Sequence, residues 1–178
     1  NSGLSDSNLY LVDSKTFIWE LKKTISGNMG GVVVNASNSN QIAFYTEATS
    51  NSDSGVFVSK DGGKTWDEAK IDGSQYSAIA IGSQNTSTLY VAGRHFPNGE
   101  DCEDEEDEDD CTPEKNSAIF ISNDFGTSWI KSSSIPKGVF KEIELEEGQE
   151  LEEEDIDKVR VLYVSPSDDD HIFVGTSN

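Results

Sequence analysis

No stretch of this 178-residue chain approaches the roughly 20 consecutive apolar residues that a membrane-spanning helix needs. Hydrophobic residues make up 34% of the sequence, so any core must be assembled from short alternating segments. The chain opens at Asn1-Ser2-Gly3, with neither a Met nor a basic-then-apolar leader. The numbering is therefore expected to describe a mature or excised segment. Only two histidines are present, His95 and His171, and neither stands beside a nucleophile motif. This argues against Ser-His-Asp or Cys-His hydrolysis. Two cysteines with so few histidines also argue against a structural zinc site.

Basic residues are scarce as well: 13 Lys and Arg face 34 Asp and Glu, for a net charge of −21. The acidity is local. Residues 100–114 hold eleven acids, residues 142–157 hold ten, and Asp168, Asp169 and Asp170 add three. The ten remaining acids leave the rest of the chain near +3. A surface adapted to high salt would spread its carboxylates more evenly. Binding to nucleic acid through phosphates is excluded, because these runs would repel the backbone.

What the chain does have is a repeat. Val56-Phe57-Val58-Ser59-Lys60-Asp61-Gly62-Gly63-Lys64-Thr65-Trp66 matches Ile119-Phe120-Ile121-Ser122-Asn123-Asp124-Phe125-Gly126-Thr127-Ser128-Trp129, 63 residues further on. A degenerate third copy runs from Leu9-Tyr10-Leu11-Val12-Asp13 to Trp19, with one residue too many. The pattern describes a tight hairpin. β-Branched and aromatic residues form the incoming strand. Asp61 and Asp124 are placed to accept hydrogen bonds from the turn amides. Gly63 and Gly126 supply the positive φ such a turn requires. Trp66 and Trp129 open the returning strand and pack over the turn.

The pattern Ser-x-Asp-x-Gly-x-(Thr/Ser)-Trp resembles the Asp box, or BNR repeat. That repeat occurs in sialidases, xyloglucanase-type glycoside hydrolases, sortilin-type sorting receptors and a photosystem assembly factor. In those families it marks the turn between the third and fourth strands of a β-propeller blade. The resemblance implies an all-β propeller and a structural role for Ser59, Asp61, Gly63, Thr65, Trp66, Ser122, Asp124, Gly126, Ser128 and Trp129. It implies no one activity, because the same turn serves enzymes and non-enzymes.

A second repeating element consists of strand pairs joined by Asn, Ser or Asp turns. These are residues 31–34 with 41–45, 76–81 with 88–93, and 159–164 with 171–175. Labelling the strands of a blade A to D, the expected order is C-D, A-B-C-D, A-B-C-D, A-B. That gives a half-blade at 9–22, blades at 30–70 and 76–133, and a half-blade at 158–176. Three blades' worth falls short of the roughly four to eight of a closed propeller. The chain is thus expected to be a segment of a larger propeller. Alternatives are a proteolytic product, the ordered part of a longer chain, or a subunit whose A-B half pairs with the C-D half of another copy.

Two insertions interrupt the pattern. The first, 97–117, carries Cys102 and Cys111 around eight consecutive carboxylates. A disulfide there would contribute about 2–3 kcal/mol and points to an extracellular, secreted or luminal compartment; free or metal-binding thiols are the alternative. The loop reads as a solvated excursion, as a weak Ca²⁺ site at Asp104, Glu105, Asp107 and Asp109, or as bait for a basic partner. The second insertion, 142–157, reads as a Glu-rich solvated excursion, with an alternating strand candidate at 140–145. Asn35-Ala36-Ser37 and Asn85-Thr86-Ser87 match the glycosylation acceptor pattern.

Function follows less directly. The preferred expectation is a non-catalytic extracellular scaffold for protein or glycan recognition, or for assembly with the remaining blades of its own chain or of another copy. The alternative is a fragment of a glycoside hydrolase, whose two catalytic carboxylates would stand about 5–10 Å apart. By resemblance, a sialidase site needs three arginines and a tyrosine nucleophile. Arg94 and Arg160 are the only arginines, so no complete site of that kind fits in this chain. A xyloglucanase-like site would need a cleft between two propellers, and a sortilin-like receptor about ten blades with a cysteine-rich module.

Overall fold

The computed structural model describes residues 6–48, 54–71, 74–95, 116–132 and 158–177. These residues form twelve β-strands and no helix. The first sheet pairs β1 (Asp6–Val12) with β2 (Trp19–Ser26). The second contains β3 (Asn28–Val34), β4 (Ile42–Glu47), β5 (Val56–Ser59) and β6 (Asp67–Glu68). The third contains β7 (Ser74–Ile81), β8 (Leu89–His95), β9 (Asn116–Ser122) and β10 (Ile130–Lys131). The fourth pairs β11 (Lys158–Ser165) with β12 (Asp168–Ser177). Neighbouring strands follow one another in sequence and run antiparallel, so the expectation of an all-β chain is met.

Alternation along the strands explains how the sheets associate. In β4, Phe44 points to one face, where it stacks with Phe57 at 5.0 Å and meets Trp66 edge-on. Ala43 and Tyr45 point to the other face, toward the third sheet. The Tyr45 hydroxyl donates to Ser77 O of β7 at 2.7 Å. In β8, Leu89 and Val91 face the second sheet, while Tyr90 and Ala92 face β11. Side chains on both faces of these two strands are therefore buried.

The ladders put β4 and β8 in equivalent positions, with Ile42 opposite Ser59 and Leu89 opposite Ser122. On the face toward the following sheet, the second sheet thus presents Ala43 then Tyr45, and the third presents Tyr90 then Ala92. Swapping the large and small positions lets each layer fill without a shared side-chain pattern. The Tyr45 ring also lies so close to Gly30 that no side chain fits there. At about 1.5–3 kcal/mol for each buried large apolar side chain, these layers dominate the stability of the inner sheets.

The first hairpin is longer than the expected 9–22 segment. Its extension is polar: Thr24 Oγ1 donates to Asn8 Oδ1 at 2.7 Å, and Ser7 Oγ donates to Gly27 O at 2.6 Å. Paired hydroxyl and amide side chains support a strand that hydrophobic alternation does not reveal. Gly27, at φ 108°, then turns the chain directly into β3. The acidic insertions at 97–117 and 142–157 and the strand candidate at 140–145 lie outside the described residues.

Candidate functional site

The repeated Ser-x-Asp turns follow β5 and β9. At the first, Ser59 Oγ donates to Asp61 Oδ1 at 2.9 Å and accepts from the Gly63 amide at 2.8 Å. Asp61 Oδ1 accepts from the Lys64 and Thr65 amides at 3.0 and 2.9 Å. Its Oδ2 accepts from Thr65 Oγ1 at 2.7 Å. Trp66 folds back, and its indole N–H is shared between Gly63 O at 3.1 Å and Lys22 O of β2 at 3.3 Å.

The second turn repeats this network. Ser122 Oγ bonds Asp124 Oδ1 and the Gly126 amide at 2.8 and 2.7 Å. Asp124 accepts from the Thr127 and Ser128 amides at 2.9 and 2.8 Å, and from Ser128 Oγ at 2.7 Å. Trp129 Nε1 donates to Gly126 O at 3.2 Å. Gly63 and Gly126 have φ values of 80° and 84°, where a Cβ is strained. Phe125 tolerates φ 54° because its side chain is wholly buried between the second and third sheets.

These donors set the electrostatics. Thr65, first through its amide and then its hydroxyl, with help from Ser59 and Lys64, holds the Asp61 carboxyl at about 2. Hydrogen bonds from Ser128, Ser122 and Thr127 hold Asp124 well below the ordinary carboxylate range. Stabilising the anion in this way suits a fixed acceptor and works against a general acid, which must keep its proton near neutral pH.

The degenerate first copy retains only part of the network. Asp13 Oδ1 accepts from the Lys15 and Thr16 amides at 2.9 and 2.7 Å, and its pKa is lowered, chiefly by Thr16. Apolar Leu11 and Val12 stand where a serine would anchor the turn.

The turns also join neighbouring sheets. Lys60 Nζ donates to Thr127 Oγ1 at 2.9 Å, so the two copies meet although 67 residues separate these partners. A Cβ on Gly126 would come within 2.6 Å of Val58. Each turn is further tied to the preceding hairpin loop of its own sheet. The Gly62 amide donates to Asn40 O, and the Phe125 amide to Ser87 O.

A second set of polar residues links the hairpin loops. Asn35 accepts from the Ser37 and Asn38 amides and donates through Nδ2 to Gln41 Oε1 and Thr86 O. It is 2% exposed, and a glycan on Nδ2 would have to displace both outgoing bonds. Asn85, the other acceptor candidate, uses Oδ1 to receive the Ser87 amide at 3.2 Å.

Asp169 makes the most extensive contact of this set. Its carboxylate accepts from the amides of Ser83, Gln84 and Asn85, pinning the β11–β12 loop to the β7–β8 loop. Partial burial works against ionisation, but the Gln84, Asn85 and Ser83 amides prevail and lower the pKa. Gln84 Nε2 returns a bond to Pro166 O at 2.9 Å. Sequence reading treated the 168–170 acids as turn formers and missed this bridge. The one available signal was the recurrence of Asn or Asp in equivalent loops.

Cys102, Cys111, Asp104, Glu105, Asp107 and Asp109 lie outside the described residues. Among the described residues, no group of three or more His, Cys, Asp or Glu side chains is placed to hold a metal ion. No described helix is long and apolar enough to cross a membrane.

No family model matches the sequence, and no curated protein matches it. Among solved structures, the chain is similar to a GH74 xyloglucanase from Xanthomonas campestris, with TM-score 0.35 and 12% identity. The likeness covers 85% of this chain and 27% of that one, so the chain spans about a quarter of its length.

Proposed function

We propose that this chain is a segment of an Asp-box β-propeller acting as a non-catalytic extracellular scaffold for protein or glycan recognition. The observation that carries the reading is the saturation of the Asp61 and Asp124 carboxylates. Both oxygens of each accept hydrogen bonds from their own turn. A carboxylate used in this way holds its own hairpin turn in shape. Extracellular placement rests on reading Cys102 and Cys111 as a disulfide, and titration of the secreted chain with a thiol reagent under denaturing conditions should then find no free thiol.

The functional test pairs a glycan-binding array with product release from xyloglucan oligosaccharides and sialyllactose. Binding without release is expected. Hydrolysis that disappears in Asp61→Asn or Asp124→Asn, with folding intact, would replace this reading with a glycoside hydrolase fragment.

A further inference from the structure

Two segments carry the Asn-x-Ser acceptor pattern for an N-linked glycan, Asn35-Ala36-Ser37 and Asn85-Thr86-Ser87. Nothing in the sequence separates them. Their places in the fold also correspond, since each lies in the loop joining the first two strands of an inner sheet, β3 to β4 and β7 to β8. Both side chains open the same local turn. Asn35 Oδ1 accepts from the Ser37 amide at 2.8 Å, and Asn85 Oδ1 accepts from the Ser87 amide at 3.2 Å.

The nitrogens differ. Asn35 is buried, and its Nδ2 donates one hydrogen to Gln41 Oε1 and the other to Thr86 O in the loop of the next sheet. Asn85 is exposed, and its Nδ2 donates to none of the described residues. The main chain around it is held firmly. The Asn85 amide donates to Asp169 Oδ2, and the Asn85 carbonyl accepts from the Thr88 amide at 3.0 Å. Thr86 O and Ser87 O receive Asn35 Nδ2 and the Phe125 amide. These bonds secure the loop through its backbone and leave the Asn85 nitrogen to solvent. The exposure belongs to an inner sheet: β7 packs against β3 and β4 on one side and against β11 on the other.

We infer that Asn85 bears an N-linked glycan in the folded chain and that Asn35 does not. The inference rests on the extracellular reading above, because this modification belongs to the secretory route. The co-substrate is an oligosaccharide carried on a lipid pyrophosphate. The Asn85 nitrogen bonds to the first carbon of the sugar, the bond from that carbon to the pyrophosphate oxygen breaks, and the lipid pyrophosphate leaves with the electron pair. One amide proton passes to a base of the transferase. Nδ2 keeps its other hydrogen, and no described bond depends on the one lost. The same exchange at Asn35 would take a donor from Gln41 or Thr86 and set a sugar ring in the seam between two loops. A buried acceptor would lose its partner, and the loops would be wedged apart.

The test sends the 178-residue chain through the secretory pathway of cultured eukaryotic cells behind a cleavable leader, with peptide mapping before and after an N-glycosidase. Secreted chains should carry a glycan at Asn85 and none at Asn35. Ser87→Ala keeps the amide that Asn85 Oδ1 receives and should abolish the glycosidase-sensitive mobility shift. Ser37→Ala likewise keeps its amide and should leave the shift whole. Any glycan at Asn35 should be confined to chains retained in the cell. A secreted chain modified at Asn35 would overturn the inference, as would an Asn85 left bare in secreted and retained chains alike. Either result leaves the extracellular reading standing, because the added leader sets the route. That reading fails separately, if Cys102 and Cys111 titrate as free thiols.

Discussion

The two inner sheets and the two outer hairpins are made from the same strand types, yet they end in different states. In β4 and β8, Phe44, Ala43, Leu89 and Val91 are wholly buried, because a sheet lies on either side. In β1–β2 and β11–β12, large apolar residues such as Trp19 and Phe173 stay exposed on the face that has no neighbouring sheet among the described residues. Burial here is a property of position in the stack rather than of the hairpin. The turns differ in parallel: Asp61 and Asp124 are held by a preceding serine and by a following threonine or serine, whereas the Asp13 turn lacks that serine and draws its donors from Lys15 and Thr16.

Substitutions can break this contrast at several depths. The largest effect is expected from Phe44→Ala, which empties a site between two sheets and should cost about 3–5 kcal/mol in chemical unfolding. Phe17→Ala, at the 74% exposed tip of the first hairpin, should change stability by less than about 0.5 kcal/mol. Equal losses at the two positions would erase the distinction.

Gly126→Ala combines a positive φ with a Cβ only 2.6 Å from Val58. It should cost about 1–3 kcal/mol from backbone strain, with the overlap adding to that. Gly175→Ala has no positive φ and brings its Cβ to 3.3 Å from Val161, a tight contact that a shift of a few tenths of an ångström relieves, so it should cost clearly less than Gly126→Ala.

Ser59→Ala removes the hydroxyl that receives the buried Gly63 amide, at a cost of about 1–3 kcal/mol. The Asp13 turn has no such hydroxyl to lose. Asp169→Ala should act more locally. Amide exchange at Ser83, Gln84 and Asn85 should quicken, while exchange in β4 and β5 should not change.

Acid should expose a related difference between the turns. The Asp61 pKa is depressed in the folded state from 3.8 to about 2. Its contribution is therefore complete above the unfolded value and is lost as pH falls through that window. Asp124 and Asp13 are lowered in the same direction, so their contributions also fade below pH 3.8. Unfolding midpoints measured from pH 5 to pH 2 should fall in wild type, and Ser59→Ala should flatten part of that slope. An unchanged midpoint across the range would show that the turns contribute little.

Much of the strand order was legible because the chain repeats itself. Val56 to Trp66 and Ile119 to Trp129 announce the same hairpin twice, and the glycines and aspartates have the same local roles in both. The polar ends of the first hairpin were not legible, since Ser7, Asn8 and Thr24 pair by hydrogen bonds that leave no hydrophobic period. The bridges from Asn35 to Thr86 and from Asp169 to the 83–85 amides were hidden for another reason. They join loops 51 and about 85 residues apart, and nothing local marks a side chain as reaching the next sheet. The sequence pattern points to the turn carboxylates as acceptors, but how many donors each receives depends on the geometry of the folded loop.

The central claim is that the Asp61 and Asp124 turns are structural acceptors. Its most direct measurement is the ¹³C-detected titration of the two carboxyl groups in the folded chain. The account predicts a midpoint of about 2 for Asp61 and a similarly depressed one for Asp124. A midpoint for either group at or above the ordinary 3.8 would contradict it.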